Sequence, residues 1–554
     1  MKPIAAAWTL AGLLAVSGVV TTLPLAVGGP AMFAWDDTEY VTQALETYEH
    51  VNARGLVAWP GYVVHQQPVK PPLYVNTLTA ALFAVGRERA AVAAGLVGGA
   101  MIVCFGLVVY RLASRLTHRR IALAATAALL ALPGVSRWFA AAYPDAQLAV
   151  LTLLAVGLLA GTVGRWRRGR TVLLGLAIGL ALLSKTTFPL YLVLPAAYWL
   201  LRRGAGWPPI AHRVSVLAEA ALIAACVASV WYVTQGEGAL HYARVSSGFE
   251  LGPVADHAIA RAGQWLDFLT ARGWGYALVG VAVLGLVAVV PGAQPAEAVS
   301  RGAGPASRDH LAVLILGALP MLLLAAWSRV PPNTRHPLPS LVLVAAAVLL
   351  WALSRIDRSR WRRILWPLGL GVIALQWLAV LSGQIPPIAD AVRSRSWGAN
   401  VAALAPGLIE NRPISLEAAS IVLDRARAML AAPGAPTDWY LSGNSAYLNV
   451  SRLRMLAKLH GIPVNVQWGS YFTWSDADRA AKRDEMRSKP SVVILYDPVA
   501  PPGTEMADLN RFNAETRAWV GDPTHGFEAL GEVAVPTEPS TLSWFIQRPA
   551  GSRR

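Results

Sequence analysis

Long apolar runs recur between residues 4 and 382 of this 554-residue chain, and they constrain its fold more than any other feature. Charged residues make up only 14% of the sequence, whereas soluble domains carry about 25%. A run of about 20 apolar residues can cross a bilayer as a helix. The sequence therefore predicts a polytopic α-helical membrane protein with about eleven spans. The predicted spans are 4–27, 90–110, 121–138, 145–163, 171–185, 187–201, 214–233, 275–291, 311–327, 338–354 and 364–382.

The first run, residues 4–27, has an apolar stretch longer than the core of most signal peptides. A single charge, Lys2, precedes it. We therefore interpret it as a retained first helix. Cys104 and Cys226 both lie inside apolar runs without metal-ligand spacing, so we expect them to be small buried side chains rather than a disulfide framework.

Arginine clusters between the runs indicate the orientation of the chain, because cytoplasmic loops carry an excess of Lys and Arg. The formal net charge is +16, and 16 of the 48 Lys and Arg residues lie in these short clusters. No nucleic-acid-binding motif accompanies them, so nucleic acid is excluded as a partner. With a cytoplasmic N-terminus every cluster is cytoplasmic, provided that 73–86 is an interfacial helix and does not span. The clusters lie at 111–120, 165–170, 202–213 and 355–363.

The same topology places the remaining polar loops on the extracytoplasmic face of the cell membrane. Two of them, residues 28–89 and 234–273, are long, and the others are the turns at 143–145 and 184–186 and the short loop 328–337. Seven side chains that can carry charge thereby share one face, where we expect the functional site. They are Asp36, Asp37, Lys70, Asp145, Lys185, His241 and Arg335.

The composition from about residue 384 onward is that of a soluble domain. We therefore predict a transmembrane catalytic domain, 1–383, with interfacial helices in loop 28–89, and an extracytoplasmic α/β domain, 384–554. No glycine-rich phosphate loop follows any predicted strand, so a lid, docking or partner surface is favoured over nucleotide binding. The predicted strands are 438–443, 464–469, 491–497 and 542–547, and the predicted helices are 444–460, 475–488 and 506–520.

The acidic pair Asp36–Asp37 follows the first span and begins a segment with apolar residues at helical spacing, Val41, Ala44 and Leu45. This pattern predicts an amphipathic helix lying along the membrane. The pair could be a catalytic carboxylate site or merely a solvated acidic cap, since negative charge is favoured at a helix N-terminus.

Lys70 precedes a double proline, Pro71–Pro72, which fixes an extended backbone and disfavours helix just before it. A lysine held there suits a lipid phosphate, although a snorkelling interfacial lysine is the alternative. Asp145 stands at the mouth of an apolar helix, a position where ionisable groups usually face a cavity. Lys185 and Arg335 lie in external turns, where structural capping is the alternative for each.

Together these side chains suit sugar transfer from a polyprenyl-phosphate donor. A carboxylate can take the proton of an acceptor hydroxyl, which is otherwise a poor nucleophile. Cations can stabilise the departing phosphate.

The order of these motifs resembles the GT-C glycosyltransferases that use lipid-linked sugars, in particular the lipid A aminoarabinose transferases and protein O-mannosyltransferases. The shared order is an acidic pair after the first helix, K-P-P-L, a Pro-Asp turn, an S/T-K turn and an arginine-proline turn, and it covers about residues 1–350. The chain departs from the family at Ser184-Lys185-Thr186, which lacks the glycine of the T-K-G turn, and at His336, which replaces a tyrosine. The resemblance implies catalytic roles for Asp36, Asp37 and Asp145, and donor-phosphate binding by Lys70, Lys185, His241 and Arg335.

The expected function is thus transfer of a sugar from a polyprenyl-phosphate donor to an envelope glycan, lipid or protein, with inversion at the anomeric carbon. The sequence identifies no cofactor, and clustered carboxylates could hold a divalent cation. A transporter or lipid flippase is the alternative, yet the charges cluster at helix ends and no self-similar halves are visible. A third hypothesis is a non-catalytic scaffold whose C-terminal domain binds an envelope partner.

Overall fold

The computed structural model of the chain forms two compact units. Unit 1 comprises Met1–Val27, His50–Ala81 and Ala91–Arg412, and unit 2 comprises Gly28–Glu49, Leu82–Ala90 and Pro413–Arg554. Unit 2 thus groups the segment that carries the acidic pair with the C-terminal part of the chain. The structure describes residues 3–33, 36–66, 70–160, 168–203, 207–246, 274–289, 305–327, 337–384, 414–443, 445, 448–469, 476–498, 505–536 and 540–547.

Helices make up the described part of the chain up to residue 384, as the apolar runs predict. Each predicted span coincides with one helix or, for 121–138, with two. They are α1 Pro3–Gly28, α2 Asp36–Arg54, α3 Trp59–Gln66, α4 Leu73–Val85, α5 Ala90–Leu116, α6 Arg119–Leu130, α7 Pro133–Phe139, α8 Pro144–Ala160, α9 Arg168–Ser184, α10 Pro189–Leu201, α11 Ile210–Ser246, α12 Gly275–Val287, α13 Pro305–Trp327, α14 Leu338–Arg358 and α15 Arg362–Gln384.

Five of the described helices, namely α1, α5, α11, α14 and α15, are long and apolar enough to cross a membrane. The helices α6 and α7 form a sixth candidate, bent by 63° at the break between them. The break is explained by Pro133, because the residue before a proline is pushed out of the helical region and Leu132 has ψ 130°. The multi-pass prediction is confirmed, whereas the number eleven stays a prediction.

The helix α4 matches the predicted non-spanning segment 73–86. Its 13 residues extend about 20 Å at 1.5 Å per residue, short of the roughly 30 Å hydrocarbon core. Cys104 and Cys226, by contrast, are exposed rather than buried. The prediction of burial was wrong because an apolar side chain on a spanning helix is equally well placed against lipid.

Close helix packing in unit 1 depends on glycines of α5. A Cβ atom at Gly98 would lie 2.1 Å from the carbonyl oxygen of Phe139 in α7. One at Gly99 would lie 2.4 Å from Thr22 Oγ1 in α1. Small residues at membrane helix contacts let backbones approach in this way.

Gly98→Ala is therefore expected to lower the apparent melting temperature of the detergent-solubilised protein, with a cost of about 1–3 kcal/mol from overpacking against a backbone atom that cannot move alone. The matched control is Gly371→Ala in α15, where a new Cβ meets no atom within 4 Å. A melting temperature that falls equally in both variants would contradict the packing described for Gly98.

The C-terminal part of unit 2 is a five-stranded mixed sheet with helices, which confirms the predicted α/β domain. Its strand order is β2-β1-β3-β5-β4. The strands β2, β1 and β3 are parallel, and β5 is antiparallel to both of its neighbours, β3 and β4. The strands are β1 Asp438–Ser442, β2 Asn465–Trp468, β3 Ser491–Pro498, β4 Phe527–Val535 and β5 Ser540–Gln547, and the helices are α16 Glu417–Leu430, α17 Val450–Leu459, α18 Asp476–Ser488 and α19 Glu505–Gly521.

Candidate active site

Asp37 lies in the first turn of α2, in unit 2, and its side chain is almost completely buried, at 4% exposure. Its Oδ1 accepts a hydrogen bond from the backbone N–H of Thr38 at 2.9 Å. A carboxylate at a helix N-terminus is stabilised by the exposed N–H groups of the first turn. The burial does not fit the alternative of a solvated acidic cap.

The apolar face of α2 is also buried. Val41, Ala44 and Leu45 are at most 1% exposed. The helical spacing that predicted a membrane-surface helix is therefore used for packing within the protein. The side chain of Asp36 lies outside the described residues.

Lys70 stands immediately before Pro71–Pro72 in unit 1 and is 8% exposed. The prolines lead directly into α4, whose first turn is closed by Asn76 N–H donating to the Pro72 carbonyl at 3.0 Å. Trp59 Nε1 donates to Asn76 Oδ1 at 2.9 Å and joins α3 to α4. The burial of Lys70 does not fit a lysine that snorkels to water.

Asp145 and Lys185, two of the predicted site residues, contact each other. Lys185 Nζ donates to Asp145 Oδ1 at 2.6 Å. Asp145 is in the first turn of α8 and its side chain is 2% exposed, while Lys185 directly follows α9 and is 20% exposed. An ion pair so little exposed is costly to break, because either partner alone would be an uncompensated charge.

A hydrogen-bonded relay beside this pair links three helices of unit 1. Gln147 of α8 donates through Nε2 to Thr77 Oγ1 of α4 at 3.2 Å. Its Oε1 lies 3.2 Å from the hydroxyl of Ser184 at the end of α9. The segment that follows Lys70 is therefore tied to the two helices that carry Asp145 and Lys185. Sequence reasoning missed Gln147, although an amide two residues after Asp145 in an apolar helix is an available signal.

Besides the side chain of Asp36, two more predicted site residues are not placed. The side chain of His241 in α11, and Arg335 entirely, lie outside the described residues. Within the part of the chain that the structure describes, no three His, Cys, Asp or Glu side chains converge as metal ligands.

Polar contacts also join helix ends that the predicted topology assigns to the cytoplasmic side. Asp309 in the first turns of α13 accepts from Tyr198 at 2.6 Å and from Arg202 at 3.1 Å. The distance between His118 Nε2 and Asp357 Oδ2 is 2.8 Å. The side of the membrane that these helix ends face stays a prediction.

Residues 69–233, which contain Lys70, Asp145 and Lys185, match the family model of dolichyl-phosphate-mannose-protein mannosyltransferases. No curated protein sequence matches the chain.

Solved structures match the chain over nearly its whole length. ArnT from Cupriavidus metallidurans in the apo state has a TM-score of 0.59 at 15% identity, covering 99% of this chain and 100% of that one. The same protein bound to undecaprenyl phosphate has a TM-score of 0.57 at 15% identity, covering 99% of each chain. The archaeal oligosaccharyltransferase AglB from Archaeoglobus fulgidus has a TM-score of 0.46 at 13% identity. The match covers 89% of this chain and 70% of the AglB chain.

The match to ArnT confirms the GT-C-like fold that the motif order indicated. It includes the C-terminal α/β domain, for which the sequence offered no recognisable motif.

Proposed function

We propose that the protein is a membrane glycosyltransferase that moves a sugar from a polyprenyl-phosphate donor to an acceptor hydroxyl on the extracytoplasmic face. The observation that carries this proposal is the burial of one carboxylate and one lysine at the two ends of the loop that the motif order singles out. Asp37 is 4% and Lys70 is 8% exposed. Charged groups with so little solvent are rare unless a specific partner or function retains them.

The reaction assigns a separate task to each group. The acceptor oxygen attacks the anomeric carbon, the bond from that carbon to the phosphate oxygen breaks, and the electron pair leaves with the polyprenyl phosphate. Asp37 accepts the proton of the acceptor hydroxyl as general base. Lys70 stabilises the negative charge that collects on the phosphate, with Lys185, His241 and Arg335 as further candidates. Direct displacement inverts the configuration of the anomeric carbon.

The comparisons support this choice of donor. The family model that covers Lys70, Asp145 and Lys185 is named for dolichyl-phosphate-mannose, a polyprenyl-phosphate sugar. The ArnT structure of the same fold holds undecaprenyl phosphate. A fold alone does not determine function, so the proposal depends on the side chains at the site.

Lys70→Ala is expected to abolish transfer and to weaken the binding of undecaprenyl phosphate by at least about tenfold, because the lost cation is a charge-assisted partner of the phosphate. Binding is measured on the purified protein in detergent, and transfer in proteoliposomes with undecaprenyl-phosphate sugars and extracted envelope lipids.

The control for this test is Lys489→Ala, a lysine of the α/β domain that pairs with Asp438 and Glu485. We expect wild-type phosphate binding in that variant. Equal affinity in the wild type and Lys70→Ala, or lipid flipping in vesicles that neither Lys70 nor Asp37 substitution changes, would contradict the proposed function.

A further inference from the structure

The segment that carries the acidic pair is attached to the C-terminal part of unit 2 on both sides of Asp37. Before the pair, the backbone carbonyl of Ala31 accepts a hydrogen bond from Ile414 N–H at 2.8 Å. After it, Thr42 Oγ1 lies 3.3 Å from the carbonyl oxygen of Ser451 in α17. Contacts between residues about 400 positions apart do not arise from local folding, and they fix the chain at two points around the acidic pair.

The first attachment is itself supported by α17. Arg452, which is fully buried, donates through Nη2 to the Ile414 carbonyl at 3.0 Å. Its backbone N–H is bonded to the side chain of Asn449, the N-cap residue of α17, at 2.8 Å. The same helix thus contributes to both attachments.

A charged contact completes the attachment about two helical turns further on. Lys458, near the end of α17, donates through Nζ to Glu49 Oε2 at 3.2 Å and lies 3.7 Å from Glu46 Oε1. Burial raises the pKa of Glu46, while the charges of Lys458 and Arg454 lower it. One cation therefore holds two carboxylates on the last turns of α2 within unit 2.

We propose that α17 positions Asp37 for catalysis by holding α2 in place, and that Lys458 is the positioning residue of this contact. The inference rests on the proposed function, in which Asp37 is the general base. It gives the α/β domain a role in the catalytic step, because a general base must lie within hydrogen-bond reach of the proton it takes. A displacement of about 1 Å can cost about a hundredfold in rate.

The test is a series of substitutions at Lys458 that separates its charge from its volume. Lys458→Met keeps the length of the side chain without the charge, Lys458→Glu reverses the charge, and Lys458→Arg retains it. We expect Lys458→Arg to keep near-wild-type kcat, Lys458→Met to lose about tenfold and Lys458→Glu about a hundredfold, with little change in KM for the donor. The control is Lys482→Met, whose lysine contacts Gln467 and Glu485 inside the α/β domain.

A second readout does not require activity. Hydrogen–deuterium exchange of the backbone amides of residues 40–49 in the full-length protein should become several-fold faster in Lys458→Met and faster still in Lys458→Glu, and it should stay unchanged in Lys458→Arg and Lys482→Met. A Lys458→Met variant with wild-type kcat and wild-type exchange would overturn the inference, since a side chain that only fills space is replaced adequately by Met.

The two proposals fail in different ways. If the wild-type protein transfers no sugar, the proposed function fails, and unchanged exchange of residues 40–49 in Lys458→Glu would then overturn the attachment as well. If the wild type is active and the Lys458 series has no effect on kcat, the positioning role alone is wrong.

Discussion

Replacing Asp37 by asparagine is expected to lower the rate of sugar transfer by about 10²–10⁴-fold, the contribution typical of a positioned general base. Asparagine has nearly the same shape, and its side-chain oxygen can accept the hydrogen bond from Thr38 N–H, so α2 should keep its first turn. An amide cannot take the proton of the acceptor hydroxyl. The measurement is the single-turnover rate in proteoliposomes with saturating donor and acceptor.

KM for the donor should change little in Asp37→Asn, because proton transfer contributes to the transition state and not to donor binding. Lys70→Ala should behave in the opposite way and weaken donor binding. The pair of variants thus assigns the two ends of the loop to different steps of the reaction.

Asp36→Asn and Glu39→Gln are the matched comparisons, since both remove a carboxylate from the same first turns of α2. The resemblance to the GT-C family leaves the base open between Asp36 and Asp37, and we choose Asp37 for its burial at 4% exposure. Full transfer by Asp37→Asn together with loss in Asp36→Asn would move the role to Asp36. Full transfer by both variants would remove the general base from this segment.

The membrane-spanning architecture could be predicted because a bilayer imposes one strong rule, a long apolar helix, on each span. The predicted helix boundaries are wrong where this rule does not determine them. The span predicted at 121–138 is two helices broken before Pro133, which a hydropathy run does not register. The helix predicted at 214–233 continues to Ser246, because its polar end has no need to stay within the hydrocarbon.

Four of the five described strands of the α/β domain, β1, β2, β3 and β5, were predicted. The prediction at 491–497 matches β3, which occupies the centre of the sheet and is buried along most of its length. The exposed strand β4, Phe527–Val535, was missed, because it is an edge strand with few buried residues and a bulge at Gly531. The helix α16, Glu417–Leu430, was also missed, although its buried Ala418, Val422 and Ala426 follow helical spacing.

For the candidate site, residue types were predictable and their contacts were not. An acidic pair and a lysine before two prolines are visible in the sequence. The sequence does not show whether an apolar helix face packs against protein or against lipid, because both environments produce the same apolar spacing. This ambiguity explains why the face of α2 with Val41, Ala44 and Leu45 is buried although it predicted a membrane-surface helix. The contact of Lys458 with Glu49 joins residues that are 409 positions apart, and no local pattern records it.

The ion pair between Asp145 and Lys185 was also not foreseen, because the two residues were assigned to separate catalytic and phosphate-binding roles. Lys185→Met is expected to destabilise the protein by about 3–5 kcal/mol, the cost of leaving a buried charge without its partner. Asp145 would be that charge, with a side chain only 2% exposed. The measurement is the melting temperature of the detergent-solubilised protein. Arg427→Met, which removes an exposed ion pair with Asp424, is the control and should cost less than about 1 kcal/mol.

The double variant Asp145→Asn with Lys185→Met separates the structural role of the pair from a role in donor binding. The double variant has no buried carboxylate without a partner. It should therefore regain most of the stability that Lys185→Met alone loses. If Lys185 also binds the donor phosphate, the double variant stays folded but binds undecaprenyl phosphate more weakly than the wild type. Wild-type binding by a restored double variant would restrict Lys185 to supporting Asp145. Additive loss of stability in the double variant would contradict the buried pair itself, because two groups that interact directly cannot contribute independently.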